Sequence, residues 1–130
     1  MVPVRKIMTK GIQKVDANMS VKDVAKIMKT KKIGSILVEK DKELVGIVTE
    51  TDIVRRLVAD GKNPEGTQVK AIMSSPLLTV DIEKSIIDAN DLMDKNHVRH
   101  LGVTDEGKVV GLVSCRDMMH PVFMEGIEEW

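Results

Sequence analysis

Residues 46–52 read GIVTETD, and 65 positions later residues 111–117 read GLVSCRD. Each stretch runs from a glycine through two aliphatics to a hydroxyl residue, with an aspartate three places further on. Aliphatics ending on Thr or Ser predict a buried strand that stops there. A hydroxyl and an Asp three apart predict a capping box that opens a helix. Capping explains Thr49 with Asp52 and Ser114 with Asp117 without any ligand. It does not explain Gly46 and Gly111. Glycine weakens a strand interior and often marks a point where another backbone or a ligand comes close.

Working outward, one ungapped offset of 65 matches the chain to itself from Val4 to Arg55. Ile7-Met8-Thr9 falls on Ile72-Met73-Ser74, Val15-Asp16 on Val80-Asp81, Ser20 on Ser85, and Met28 on Met93. The chain is an internal duplication, which fixes how the rest is read. Each half opens irregularly with a short strand, expected at Gly11–Val15 and Leu77–Val80. A helix follows, capped by Ser20 or Ser85. Its apolar stripe is Val21, Val24, Ala25, Ile27 and Met28 in one copy, and Ile86, Ala89, Leu92 and Met93 in the other. Two strands joined by a charged turn come next, then the heptad and a closing helix. Ile53, Val54, Leu57 and Val58 are expected on one face of that helix. In the second copy Met118 and Met119 begin it and His120-Pro121 cut it short. The expected fold class is α+β, two pseudo-twofold-related β-α-β-β-α repeats. The repeats are read as 1–60 and 69–120, with a polar linker at 61–68 and a tail at 121–130. A half of about 60 residues holds a small core, so the halves are expected to pack together.

Composition narrows the function. Among 130 residues, Lys+Arg and Asp+Glu both number 20, so no basic excess points to nucleic acid. No apolar run reaches the length of a membrane span, and the first residues lack a signal-peptide core. A single cysteine, Cys115, fits a reducing compartment, and the expected location is cytoplasmic. Phe123 and Trp130 are the only aromatics, both in the tail, so a flat ligand on the body must lie among aliphatics and backbone. His97, His100, His120 and Cys115 show no zinc spacing, and no metal site is expected. Cys115 has no visible orienting base, so neither catalytic residues nor an enzyme are expected. The tail is expected to pack on the partner half or a second subunit.

The heptad geometry also suits a ligand. A helix N-terminus with a hydroxyl can receive a phosphate, and a carboxylate can accept from two ribose hydroxyls. Together these describe a nucleoside phosphate. With Ile-Met-Thr and Ile-Met-Ser, HVRHLGV at 97–103, and the two heptads in order, the chain resembles a tandem pair of CBS domains, also called a Bateman module. The resemblance runs from Val4 to about Met119. It implies related clefts for an adenosine-containing regulatory ligand (AMP, ADP, ATP or S-adenosylmethionine) and no chemistry. It assigns ribose to Asp52 and Asp117, and phosphate or ribose oxygens to Thr49 and Ser114. Thr9 to Ile12, Ser74 to Leu77, Ile33 and Val98 would wall the adenine. The family tends to pair Asp117 and Ser114 with Thr9, Ile12 and Ile33, and Asp52 and Thr49 with Ser74, Leu77 and Val98. Arg116, Arg99 and His100 replace Thr51, Gly34 and Ser35 of the first copy, so the Arg116 cleft is expected to favour the more phosphorylated ligand. The resemblance further implies a homodimer, with output through a target protein or an assembly change. The alternative is an interaction or dimerisation module with empty clefts.

Overall fold

The computed structural model describes residues 1–119. His120, Pro121 and the tail, on which expectations were placed, lie outside the described residues. The chain divides into two compact units, and the division does not follow the repeat boundary. One unit is Gln13–Leu77; the other joins Met1–Ile12 to the chain from Leu78 onward. Each unit is therefore the body of one repeat plus the opening segment of the other.

In the unit Gln13–Leu77 the elements are β2 (Lys14–Asp16), α1 (Val21–Lys31), β3 (Ser35–Lys40), β4 (Glu43–Thr49) and α2 (Glu50–Asp52), the last widening into a π-helix over Ile53–Val58. The sheet order is β2-β3-β4, with β2 parallel and β4 antiparallel to β3. The other unit holds β1 (Thr9–Lys10), β5 (Thr79–Asp81), α3 (Ile86–Asn96), β6 (His100–Asp105) and β7 (Lys108–Ser114), and residues 115–119 start a helix. Its sheet order is β1-β7-β6-β5, again with one strand parallel (β5) and one antiparallel (β7) to β6, and with β1 antiparallel to β7. The mixed α+β repeat is thus present twice. The expected strand Gly11–Val15 is not one strand. Thr9–Lys10 pairs with β7 and Lys14–Asp16 with β3, because the chain passes between units after Ile12.

The helix predictions rest on sound local chemistry. Ser20 Oγ accepts from the Asp23 amide at 3.1 Å, and Ser85 Oγ from the Asp88 amide at 3.1 Å. Capping of this kind contributes about 1 kcal/mol each. Val21, Val24 and Met28 on α1, and Ile86, Ala89 and Met93 on α3, are buried at the centre of their units. His97 ends α3 in the left-handed conformation at φ 54, as Lys32 ends α1 at φ 55. Its place in the chain is thus that of a helix stop.

The closing helix departs from expectation. Leu57 is buried and Ile53 packs against the core, but Val54 and Val58 are 59% and 66% exposed. Residues 53 and 57 lie close to one face of the helix and 54 and 58 close to the next; only the first faces inward. Met118 and Met119 split the same way, buried and exposed.

The opening segments plug the cores they join. Val4 is fully buried, its amide bonded to Lys84 O at 2.8 Å. Its repeat partner Val69 is fully buried, its amide bonded to Met19 O at 2.8 Å. The stretch 61–68 is tied down within its unit. Lys22 N donates to Pro64 O, Val21 N to Thr67 O, and Lys22 Nζ meets Glu65 at 2.5 Å.

Candidate functional site

The two glycines are explained by backbone. A Cβ on Gly46 would lie 2.7 Å from the carbonyl oxygen of Ser74, and one on Gly111 would collide with that of Thr9. Ser74 crosses β4 there in a two-bond bridge with Ile47: Ile47 N donates to Ser74 O at 3.0 Å and Ser74 N to Ile47 O at 2.8 Å. Thr9 and Lys10 cross β7 in the same way, opposite Leu112 and Gly111. No ligand is needed to account for either glycine. What the glycines do is let an opening segment lie against the strand that ends in the hydroxyl residue, which places Ser74 near Asp52.

At the end of β4 the backbone of Thr49 is extended, so its side chain turns back over the first helical turn. Thr49 Oγ1 accepts from the Asp52 amide at 3.2 Å, while Asp52 Oδ2 accepts from Thr49 N at 3.0 Å and from Thr49 Oγ1 at 3.2 Å. Asp52 Oδ1 accepts from Ser74 Oγ at 3.3 Å and lies 3.7 Å from Arg56 Nε. Asp52 is 7% exposed, the one buried charged residue among those described. Burial at that level is tolerated because both oxygens have partners.

Ser114 and Asp117 repeat the box. Ser114 N and Oγ donate to Asp117 Oδ2 at 2.9 and 3.0 Å, and Asp117 N donates to Ser114 Oγ at 3.2 Å. Here the likeness stops. Asp117 Oδ1 has no hydrogen-bond or ion-pair partner among the described residues, and Asp117 is only half-buried. An ionised carboxylate offers about four acceptor sites. Capping uses part of that capacity on Oδ2 and leaves Oδ1 able to receive a hydroxyl.

The remaining candidates distribute as follows. Thr9 is exposed on β1 and Ile12 is 38% exposed at the end of its segment. Ser74 and Leu77 are half-buried in the other unit, as is Ile33, which packs against that unit's core. Val98 packs correspondingly against the core of its own unit. Arg99 and Arg116 are exposed. His100 is half-buried at the start of β6, opposite Ser114. Among the described residues no cluster of three His, Cys, Asp or Glu could hold a metal. Cys115 Sγ contacts Met93 Sδ at 3.5 Å, a thioether and not a base. Arg56 escaped the sequence reading. Its signal was present as an acid–base pair four apart, Asp52 and Arg56, but such pairs usually lie on solvated helix faces.

A CBS-domain family model matches residues 4–59 and again 69–122. The chain belongs to the CBS-domain family. The pair is 35% identical over 111 residues to the uncharacterised protein MK0525 of Methanopyrus kandleri, covering 82% of this chain and 57% of that one. The pair therefore spans little more than half of that relative's length. Among solved structures, a proposed signal-transduction protein with CBS domains from Burkholderia ambifaria superposes with a TM-score of 0.88 at 32% identity, covering 95% of both chains. A hexameric CBS-CP12 protein from bloom-forming cyanobacteria superposes with a TM-score of 0.84 at 30% identity, covering 92% of this chain and 70% of that one. Tandem CBS domains are in general regulatory ligand-binding modules and not catalysts. No helix among the described residues is long and apolar enough to cross a membrane.

Proposed function

We propose that this CBS pair is a cytoplasmic regulatory sensor of an adenosine-containing ligand: AMP, ADP, ATP or S-adenosylmethionine. The observation that carries the reading is Asp117. Its carboxylate sits at the start of a helix with one oxygen committed to the cap and the other without a partner among the described residues. That oxygen, beside the Ser114 hydroxyl and a helix start, is suited to ribose hydroxyls and a nearby phosphate. Arg116, exposed in the first turn, adds a guanidinium that favours the more phosphorylated ligand. Asp52, Thr49 and Ser74 form the related second site. Thr9, Ile12, Leu77, Ile33, Val98, Arg99 and His100 are the remaining residues assigned to the two sites.

Output follows from self-association or a target protein. The hexameric CBS-CP12 relative supports self-association of such pairs, and exposed Val54, Val58 and Met119 offer apolar surface for it. A ligand acts by binding one arrangement better than the other.

A thermal-shift screen with the four ligands tests the reading. A ligand at about 100 times its Kd stabilises by about 2.7 kcal/mol, several degrees at this size. Unmoved melting curves with all four would instead favour an interaction module with empty clefts. Arg116→Ala should narrow any preference for ATP over AMP. Identical preference after that change would remove Arg116 from the site.

A further inference from the structure

Arg56 makes three contacts around Asp52. Nη1 donates to the carbonyl oxygens of Met73 at 3.1 Å and Ile72 at 3.4 Å, and Nε lies 3.7 Å from Asp52 Oδ1. Ile72 and Met73 lead directly into Ser74, whose hydroxyl meets the same oxygen. One side chain of the π-helix thus ties down both the carboxylate and the segment lying across β4. The fork of the guanidinium makes this possible, since one planar group presents donors in several directions.

Among the described residues the other unit has no such tie. The position 65 residues after Arg56 is Pro121, which carries no cation. Thr9, the counterpart of Ser74, pairs with β7 through its backbone, and Asp117 has no ion pair among the described residues. Resting on the ribose reading of these carboxylates, we propose that Arg56 is a positioning residue that latches the Asp52 site. It holds residues 72–74 and Asp52 Oδ1 in a closed arrangement, and so makes this the weaker of the two ribose sites. A ribose arriving at Asp52 must displace the Ser74 hydroxyl and the guanidinium. One arriving at Asp117 Oδ1 has no such bond to displace among the described residues. The ligand gains only the difference between the bonds it makes and those it breaks.

Calorimetric titration of the full chain with AMP, and separately with ATP, reads this directly. The two sites are expected to differ about tenfold or more in affinity. The tighter one disappears in Asp117→Asn. Arg56→Gln brings the weaker site to within a few-fold of the tighter one. Arg56→Lys falls between, because an ammonium cannot reach both carbonyls and the carboxylate as a planar fork does. Equal affinities in the unaltered chain, or a ratio that Arg56→Gln leaves alone, overturns the latch and leaves ribose binding standing. No binding of either nucleotide, to the chain or to Arg56→Gln, overturns the ribose reading at both carboxylates and the latch with it. A cycle of Asp52→Asn, Arg56→Gln and the double variant, followed by urea unfolding, needs no nucleotide. Non-additive losses are expected, and strictly additive ones overturn the latch by themselves.

Discussion

Asp52 and Asp117 hold the same place in the two repeats and keep different company. Both cap a helix through a hydroxyl residue three positions earlier. Asp52 is buried, with Ser74 and Arg56 on its second oxygen; Asp117 is half-buried, with that oxygen unpartnered among the described residues. The local motif therefore builds a helix start in either unit. What the carboxylate can do beyond that depends on residues outside the motif, chiefly the segment that crosses the preceding strand. Duplication preserved the frame, and divergence at Ser74/Thr9 and Arg56/Pro121 changed the chemistry within it.

The comparison is most easily broken at its frame. Gly46→Ala and Gly111→Ala each push a methyl into a crossing carbonyl, and overpacking of this kind costs about 1–3 kcal/mol. Both variants should melt well below the parent, with Gly111→Ala the worse because Thr9 O lies closer than Ser74 O does to Gly46. Unchanged melting in either would mean that the crossing segment does not lie where the structure has it.

The carboxylates come next. Asp117→Ala loses a cap and should cost about 1 kcal/mol. Asp52→Ala loses the cap and also leaves the Ser74 hydroxyl and Arg56 without their acceptor, for about 2 kcal/mol in all. Urea unfolding of the two variants should keep that order. Equal losses would erase the difference between the sites.

The smallest effect concerns a contact that only one unit has. Lys22 on α1 pairs with Glu65, whereas the equivalent position on α3 is Ile87, which is exposed. Hydrogen bonding and the Lys22 charge hold the Glu65 carboxyl below its usual range, and Glu65 correspondingly raises Lys22. A depressed folded-state carboxyl stabilises above its unfolded-state value, and that contribution is lost as pH falls through the lowered one. A raised lysine stabilises below the ordinary lysine value and loses its contribution at pH above the raised one. Both groups are solvent-exposed, so the effect is small. Glu65→Gln should flatten the acid limb of the stability curve slightly. A steeper acid limb would reverse the assignment.

Much of this was legible from residue patterns. The 65-residue offset, the capping pairs and the helix stripes depend on local chemistry and repetition, which a chain displays openly. The exposure of Val54 and Val58 was not legible, because four aliphatics in six residues do not reveal which pair faces inward. The strand glycines were read as marking a close approach, and only coordinates could show that backbone makes it. Arg56 was hidden for a related reason. Its contacts at Ile72 and Met73 are 16 and 17 residues away, joined by a chain path that periodicity does not describe.

The most direct test of the central claim, that a capping carboxylate retains an oxygen for a ribose, is a paired calorimetric titration with AMP and 2′,3′-dideoxy-AMP. Hydrogen bonds to a charged acceptor contribute about 1.5–3 kcal/mol each, so removing both hydroxyls should weaken binding by about a hundredfold or more. Equal affinity for the two compounds would contradict it.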